Sequence, residues 1–305
     1  MPSARLPLLF RMAQLVRGLP KFPGREAVLD YLLAREGAYP RDAIEGTFGG
    51  GLRFEGDPRL DRNVLELPLL RFARPALAGL LDAVLERGDE FADVGANLGL
   101  YTLWGARRVG PQGRVHAFEP IEQSARTLRR NAELNGFSQV DVNVCAVGAE
   151  PTTVSLYLME QHSGRASRYV CVGSSAVQVP VVTLDAYFET RPPPRLVKID
   201  VEGMEHEVLR GAQGLLSGPA APLLVFEANA EFFHQAGTSY AETLRFLAER
   251  RYTVWALTTD GLRREPREAE VPGSLNVLAA REGHEPHGAP LERLRGVRFP
   301  ADQNA

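Results

Sequence analysis

From Gly88 to about residue 281, short apolar runs alternate with longer amphipathic stretches, and this alternation constrains the fold more than any other feature of the chain. Apolar runs with little polar alternation suit strands buried on both faces, and helices between them imply a mostly parallel sheet covered on both sides. The strands expected are 90–94, 114–118, 141–147, 196–199 and 223–227, with helices over 99–109, 124–135, 205–216 and 240–250. A helix over 77–85 precedes them, placing Leu77, Leu80, Leu81, Val84 and Leu85 on one face. Two further strands, 253–257 and 275–280, have no crossover helix between them and are expected to form an antiparallel pair at one edge. The fold class expected is therefore α/β.

The rhythm breaks between residues 150 and 182. Runs 153–158 and 177–182 alternate as a hairpin would, and the polar stretch 159–175 between them carries His162, Gly164, Arg165 and Ser167. A long loop of this kind inside a compact domain suits a substrate lid. Residues 1–80 mix short helical patterns with Gly and Pro breaks, including Gly49-Gly50-Gly51, and are expected to form a helical or irregular cap. Residues 283–305 read as a surface tail, which leaves 81–282 as the main domain.

Composition narrows the function classes. A 305-residue chain that is 44% hydrophobic can bury a core unaided, which excludes a disordered chain and a disulfide-stapled miniprotein. A net charge of -3 argues against broad contact with a phosphate backbone, so no nucleic-acid partner is expected. Of 35 basic residues only Lys21 and Lys198 are lysine, which reads as the codon bias of a GC-rich genome. Cys145 and Cys171 lack metal-ligand spacing and are expected to be reduced thiols. No stretch reaches membrane-spanning length. The apolar segment 6–16 is interrupted by Arg11 and reads as an amphipathic helix docked on the body, or less readily on a membrane or partner. A cytoplasmic address is the expectation.

The most informative stretch is Asp93-Val94-Gly95-Ala96-Asn97-Leu98-Gly99, which ends the first strand and opens a helix. In a doubly wound sheet this turn lies beside the switch point where ligands bind, and Gly95 and Gly99 would let backbone approach a ligand. A dinucleotide fingerprint would need glycines at 97 and 100, where Asn97 and Leu100 stand. Asp93 would instead suit a cationic, amino-acid-like group. Glu119, ending the next strand, would accept hydrogen bonds from ribose hydroxyls. An amine and a ribose without a phosphate describe S-adenosylmethionine better than NAD.

With Phe118-Glu119-Pro120 and Lys198-Ile199-Asp200-Val201-Glu202-Gly203-Met204-Glu205, the chain resembles the FkbM family of S-adenosylmethionine-dependent methyltransferases. Asn131 through Asn135 to Gly136, Thr183-Leu184-Asp185 and Val208-Leu209-Arg210-Gly211-Ala212 add to the resemblance, which covers about residues 85–230. It implies the seven-stranded class I methyltransferase fold, Rossmann-like, with an antiparallel edge hairpin. It also implies methyl transfer to a hydroxyl of a sugar, glycoside, polyketide or peptide metabolite. The cofactor set expected is Asp93, Gly95, Ala96, Asn97, Gly99, Glu119, Ala146 and Asp200.

Catalytic candidates are the groups able to accept a proton from an alcohol: Asp200, Glu227, His162 and His206. Asp200 follows its strand directly and should face the same crevice as Gly95. Glu205 is at least as well explained as a charge at a helix N-terminus. Adjacent parallel strands bring Asp200 and Glu227 together, and with Asn229 they offer hard oxygens that would suit Mg²⁺. His116 reads as structural, and His234, His284 and His287 as peripheral. Two other classes stay open, a nicotinamide-dependent oxidoreductase or epimerase and a non-catalytic methyltransferase-like binding module. The first lacks a glycine at 97 and a Tyr-x-x-x-Lys pair. The acceptor and the oligomeric state, a homo-oligomer included, are not legible.

Overall fold

The computed structural model describes residues 8–18, 24, 27, 28, 31, 32, 43–57, 75–159, 162–167, 175–258, 261–264 and 274–282. Cys171, the tail 283–305 and much of the stretch 159–175 expected to be a lid lie outside them. The first elements are helix α1 (Leu8–Gly18), strands β1 (Ile44–Phe48) and β2 (Leu52–Gly56), and helix α2 (Pro75–Val84). There follow β3 (Glu90–Val94), α3 (Leu100–Val109), β4 (Arg114–Phe118), α4 (Glu122–Leu134) and β5 (Val140–Asn143). The middle of the chain holds β6 (Ala146–Val147), β7 (Thr152–Met159), β8 (His162–Ser167), β9 (Ser175–Val182) and α5 (Leu184–Phe188). Then come β10 (Leu196–Ile199), α6 (Glu205–Arg210), α7 (Gln213–Ser217), β11 (Leu223–Asn229), α8 (Ala230–Gln235) and α9 (Tyr240–Glu249). The last described elements are β12 (Tyr252–Thr258), β13 (Gly261–Arg264) and β14 (Ser274–Arg281).

Among the described residues, eight strands form the central sheet in the order β13-β12-β14-β11-β10-β3-β4-β5. Strands β11, β10, β3, β4 and β5 are mutually parallel, while β14 runs antiparallel to both β11 and β12. The expected seven strands and the antiparallel pairing of the last two are present. The structure adds β13, a short edge strand paired with β12, and inserts β14 between β11 and β12.

Alternation along each strand sends successive side chains to opposite faces. Ala92, Val94, Val197 and Ile199 enter one core layer with Val208, Leu209 and Leu216. Phe91, Leu196 and Val225 enter the other with Leu77, Leu80, Leu81, Val84 and Leu85. Full burial of each such Leu contributes about 1.5–3 kcal/mol, which holds α2 to the sheet despite its modest length. Asp93 and Lys198 interleave with the second set and so share the α2/α3 face.

Three segments differ from the sequence expectation. The strand expected over 141–147 is split: β5 stays in the central sheet, Cys145 turns the chain with its thiol buried and reduced, and β6 joins a second sheet of order β6-β9-β7-β8. The inserted hairpin is present as β7 and β9, but part of the expected loop is strand β8, paired with β7. The helix expected over 205–216 breaks because the Gly211 carbonyl accepts the Asp185 N–H, and the Asp185 carboxylate caps the next turn at Gly214 and Leu215. A Cβ on Gly211 would lie 2.0 Å from the Gly148 carbonyl oxygen, so this crossing of helix and second sheet requires glycine.

The N-terminal region contains a hairpin that periodicity did not indicate. Gly49, Gly50 and Gly51, all at positive φ, turn β1 into β2. The backbone of β2 is pinned to α4: Asn135 Oδ1 accepts the Arg53 N–H at 2.8 Å and Asn131 Oδ1 accepts the Glu55 N–H at 2.8 Å. Phe48, Leu52 and Phe54 pack with Leu98 and Leu103, joining the hairpin to the start of α3.

Candidate functional site

The carboxyl ends of β3, β4, β10 and β11 converge at the point where the chain, having stepped outward from β3 to β5, returns to place β10 on the other side of β3. This is the switch point of an open α/β sheet, where a crevice forms. Its floor is the turn between β3 and α3. Gly95 (φ 76°), Asn97 (φ 49°) and Gly99 (φ 93°) all adopt left-handed backbone, and Asn97 is among the few side-chain-bearing residue types that tolerate it. The Gly95 and Ala96 N–H groups both donate to the Phe118 carbonyl at 3.0 Å, fastening the turn to β4.

Gly95 has a sharper reason than ligand approach. A Cβ there would lie 1.9 Å from the Asp200 carbonyl oxygen. The glycine turn and the Asp200 turn are thus in backbone contact, and the two motifs form one site.

Glu119 closes the turn from the side. One carboxylate oxygen accepts the Asn97 N–H at 2.9 Å and the other the Ile121 N–H at 2.8 Å. Burial raises its pKa to about 7, against the opposing pull of those two N–H groups and of Lys198. Each oxygen retains a second lone pair, so the group fits a ribose diol while holding the turn.

Asp93 takes a different place from the one expected. Its side chain is fully buried, one oxygen accepting from Lys198 Nζ at 2.9 Å and the other from Thr102 Oγ1 at 2.7 Å. Parallel register sets Lys198 directly beside Asp93, so the pairing follows from the strand alignment. The carboxylate therefore neutralises an internal lysine beneath the turn, which corrects its assignment to a cofactor amine. Lys198 also donates to the Gly95 carbonyl at 3.2 Å and lies 3.9 Å from the Asp200 carboxylate and 5.4 Å from the Tyr101 ring. Sequence reasoning missed this lysine as a site residue, although its being one of only two in an arginine-rich chain was the signal.

Asp200 stands at the end of β10 with its side chain 29% exposed, whereas Asp93, Glu119, Glu205 and Glu227 are all buried. Register places Ile199 beside Phe226, so Asp200 and Glu227 are level on neighbouring strands and share a face. Beyond Asp200 the chain turns through Glu202 (φ 54°) and Gly203 (φ 103°), and a Cβ on Gly203 would meet the Phe232 carbonyl oxygen at 2.7 Å. Glu205 folds back under this turn to accept the Val201 N–H at 3.0 Å. Its burial, reinforced by the nearby Asp200 charge, pushes its pKa up to about 8.

Two other candidates are placed outside this constellation. His206 turns toward α9, with Nδ1 3.2 Å from Thr243 Oγ1 and its ring edge-on to Phe246, so it is a packing residue; burial lowers its pKa. Asn229 is the N-cap of α8, its side-chain oxygen accepting the Glu231 and Phe232 N–H groups at 3.1 and 3.4 Å. With both lone pairs of that oxygen used, it cannot serve a cation, and the donor set expected for Mg²⁺ does not fit. Among the described residues no group of three His, Cys, Asp or Glu side chains is disposed to hold a metal. His162 heads β8, and its side chain lies outside the described part. Ala146, in β6, is half-buried and pairs with Val181. His116, read as structural, is buried between Glu90 Oε2 at 2.7 Å and the Tyr187 hydroxyl at 3.0 Å.

The profile of the Methyltransferase FkbM domain matches residues 93–254. The chain belongs to the FkbM methyltransferase domain family. That span begins at Asp93, in the glycine turn, and takes in the Asp200 turn and the Glu227 strand end. A curated relative, Methyltransferase 1 of Beauveria bassiana (strain ARSEF 2860), is 32% identical over 146 residues, covering 40% of this chain and 58% of the relative. The chain thus spans less than two thirds of that relative's length. Among solved structures, Methyltransferase FkbM from Methylobacillus flagellatus KT is 16% identical with a TM-score of 0.42, over 89% of this chain and 58% of that one. Precorrin-6y C5,15-methyltransferase from Geobacter metallireducens GS-15 is 15% identical with a TM-score of 0.41, over 68% and 87%. The class I arrangement of the FkbM domain rests here on its own strand order.

Proposed function

We propose that this FkbM domain is an S-adenosylmethionine-dependent O-methyltransferase acting on a hydroxyl of a small metabolite, a sugar or secondary product. One observation carries the reading: Asp200, at the end of β10, keeps a 29% exposed side chain where Asp93, Glu119, Glu205 and Glu227 are buried, and its backbone is in contact with the glycine turn. When bound, S-adenosylmethionine supplies a sulfonium methyl as electrophile. Gly95, Ala96, Asn97, Gly99 and Glu119 hold it, with Glu119 accepting from the ribose. Asp200 accepts the acceptor's hydroxyl proton as the new O–C bond forms and the S–C bond breaks, leaving S-adenosylhomocysteine. Most of the rate gain comes from alignment of oxygen, carbon and sulfur, and a proton acceptor contributes about 10²–10⁴-fold. Glu227, level with Asp200 on the same face of the sheet, would help orient the same acceptor.

The reading is tested by isothermal titration with S-adenosylhomocysteine against NAD, followed by labelled methyl transfer to hydroxylated acceptors. Binding of S-adenosylhomocysteine alone supports it; binding of NAD alone overturns it in favour of an oxidoreductase. Asp200→Ala should lower transfer by about 10²–10⁴-fold and keep cofactor binding. An Asp200→Ala enzyme as active as the wild type would remove the assigned base.

A further inference from the structure

Helix α1 presents two apolar faces, and the body covers one of them. At about 100° per residue, Leu9, Ala13 and Val16 fall on one side of the helix, while Leu8, Met12 and Leu15 cluster on the other. The first set faces inward: Ala13 is fully buried, and Leu9 and Val16 pack with it against the β1–β2 hairpin and Leu98 and Leu103. The second set faces solvent, with Leu8 71%, Met12 42% and Leu15 72% exposed. This is not ordinary surface scatter. Among the described residues, five of the six large apolar side chains that stand exposed lie within the first 31 positions, Val28 and Tyr31 completing the group. Residues placed singly on a surface need no explanation, whereas a concentrated patch marks an interaction site.

Charge selects the occupant. Residues 1–25, which include all of α1, contain Arg5, Arg11, Arg17, Lys21 and Arg25 and no Asp or Glu, although the chain as a whole carries -3 and Glu26 and Asp30 follow near Val28 and Tyr31. Arg11 is itself exposed on α1, on the flank of the Leu8–Met12–Leu15 stripe. An apolar stripe flanked by Arg11, in a segment whose sequence carries cations and no carboxylate, matches the boundary of an anionic bilayer, where leucines enter the acyl region and cations meet headgroup phosphates. The surface of a second copy offers the opposite logic, because it would set the same cations against each other. The described helices include none long and apolar enough to cross a membrane, so the contact is with its surface.

We propose that the outer face of α1, through Leu8, Met12, Leu15 and Arg11, docks this protein onto anionic lipid membranes. Because α1 shares an apolar cluster with Leu98 of the glycine turn, docking brings that end of the sheet toward the lipid surface. The proposal does not depend on the methyl-transfer reading.

The test is flotation of the full chain with phosphatidylcholine vesicles and with vesicles that also contain phosphatidylglycerol. The full chain should float with the anionic vesicles, bind the neutral ones at least roughly tenfold more weakly, and be released by high salt, at about fivefold per cation engaged. Leu8→Ser with Leu15→Ser should lower anionic binding by roughly tenfold or more, and Arg11→Glu should lower it separately. Both leucines are largely exposed, so the double variant should keep its melting temperature and circular dichroism, and Arg11→Glu gives an independent reading. Failure of the folded wild type to float would overturn the proposal, as would flotation unchanged in all variants. A dimer that ignores vesicles and dissociates on Leu8→Ser with Leu15→Ser would also overturn it and assign the face to a second copy.

Discussion

Lys198 decides whether the two motifs hold together. Its ammonium, almost fully buried, meets the Asp93 carboxylate and the Gly95 carbonyl while standing 3.9 Å from Asp200. A buried pair adds little net stability over an apolar substitute, but removing one partner leaves the other charge stranded. Lys198→Met should therefore cost about 3–5 kcal/mol in urea denaturation, the range for breaking such a pair. A midpoint within error of wild type would mean the pair is looser than its geometry states. The buried carboxyls make a second, opposite statement. Glu119 and Glu205 have pKa values raised to about 7 and about 8, so between their unfolded values and these the folded state binds more protons than the unfolded one. Stability contributed by the protonated forms is full at low pH and is lost as pH climbs, by up to about 1.4 kcal/mol per pH unit, from about 5 to about 7 for Glu119 and to about 8 for Glu205. Glu205→Gln, neutral throughout, should flatten that decline in thermal melts recorded across the window. An identical slope in the variant would show that Glu205 does not titrate there.

At the scale of elements, two asparagines one helical turn apart do the joining. Asn131 accepts the Glu55 N–H and donates to the Leu98 carbonyl at 3.1 Å, so it ties the β1–β2 hairpin, α4 and the glycine turn in one position. Asn131→Ala would leave both backbone groups without that partner, and an unsatisfied buried group costs about 1–3 kcal/mol. Amide exchange at Glu55 should quicken before exchange in the central sheet does; equal protection in the variant would contradict the role. The sequence displayed Asn131, Asn135 and Gly136 as part of a family resemblance but not this function, because their partners lie some 76 to 82 positions away. The same limit explains the other gaps. Central strands were legible because burial on both faces makes their runs apolar, and α2 because five leucine and valine positions recur on one face. The split of 141–147 and the break near Gly211 were not, since both depend on where β6 and Gly148 cross a helix distant in sequence. Of the site, the Asp200–Glu227 juxtaposition and the Glu119 position were legible from strand ends. The orientations of Asp93, His206 and Asn229 were not, because each is decided by a tertiary partner: Lys198, Thr243 with Phe246, and the amides of α8.

For the whole molecule, the crevice is a junction of turns rather than a rigid pocket. The turns after β3, β4 and β10 are fastened to one another by backbone donors, by Lys198 and by two buried carboxyls, and each lies at the end of a different strand of the central sheet. A ligand seated across them bridges elements separated by about a hundred positions, so its binding energy appears as global stability. A ligand present at a hundred times its dissociation constant stabilises the folded state by about 2.7 kcal/mol. For a chain of 305 residues, where each kcal/mol shifts the midpoint by about 1.6 °C, saturating S-adenosylhomocysteine should raise the melting temperature by about 4 °C. The variants divide this effect by role. Glu119→Gln keeps the side chain's volume but removes its charge and one acceptor, so the ligand-induced rise should shrink. Asp200→Ala removes the group assigned to the acceptor and should leave the rise intact. Gly95→Ala forces a Cβ into the Asp200 carbonyl at a left-handed position, and should lower both the starting melting temperature and the rise. If Asp200→Ala abolished the rise while Glu119→Gln left it unchanged, the cofactor and acceptor sides of the crevice would have to be exchanged, because the ligand would then be held by the β10 end of the junction and not by β4.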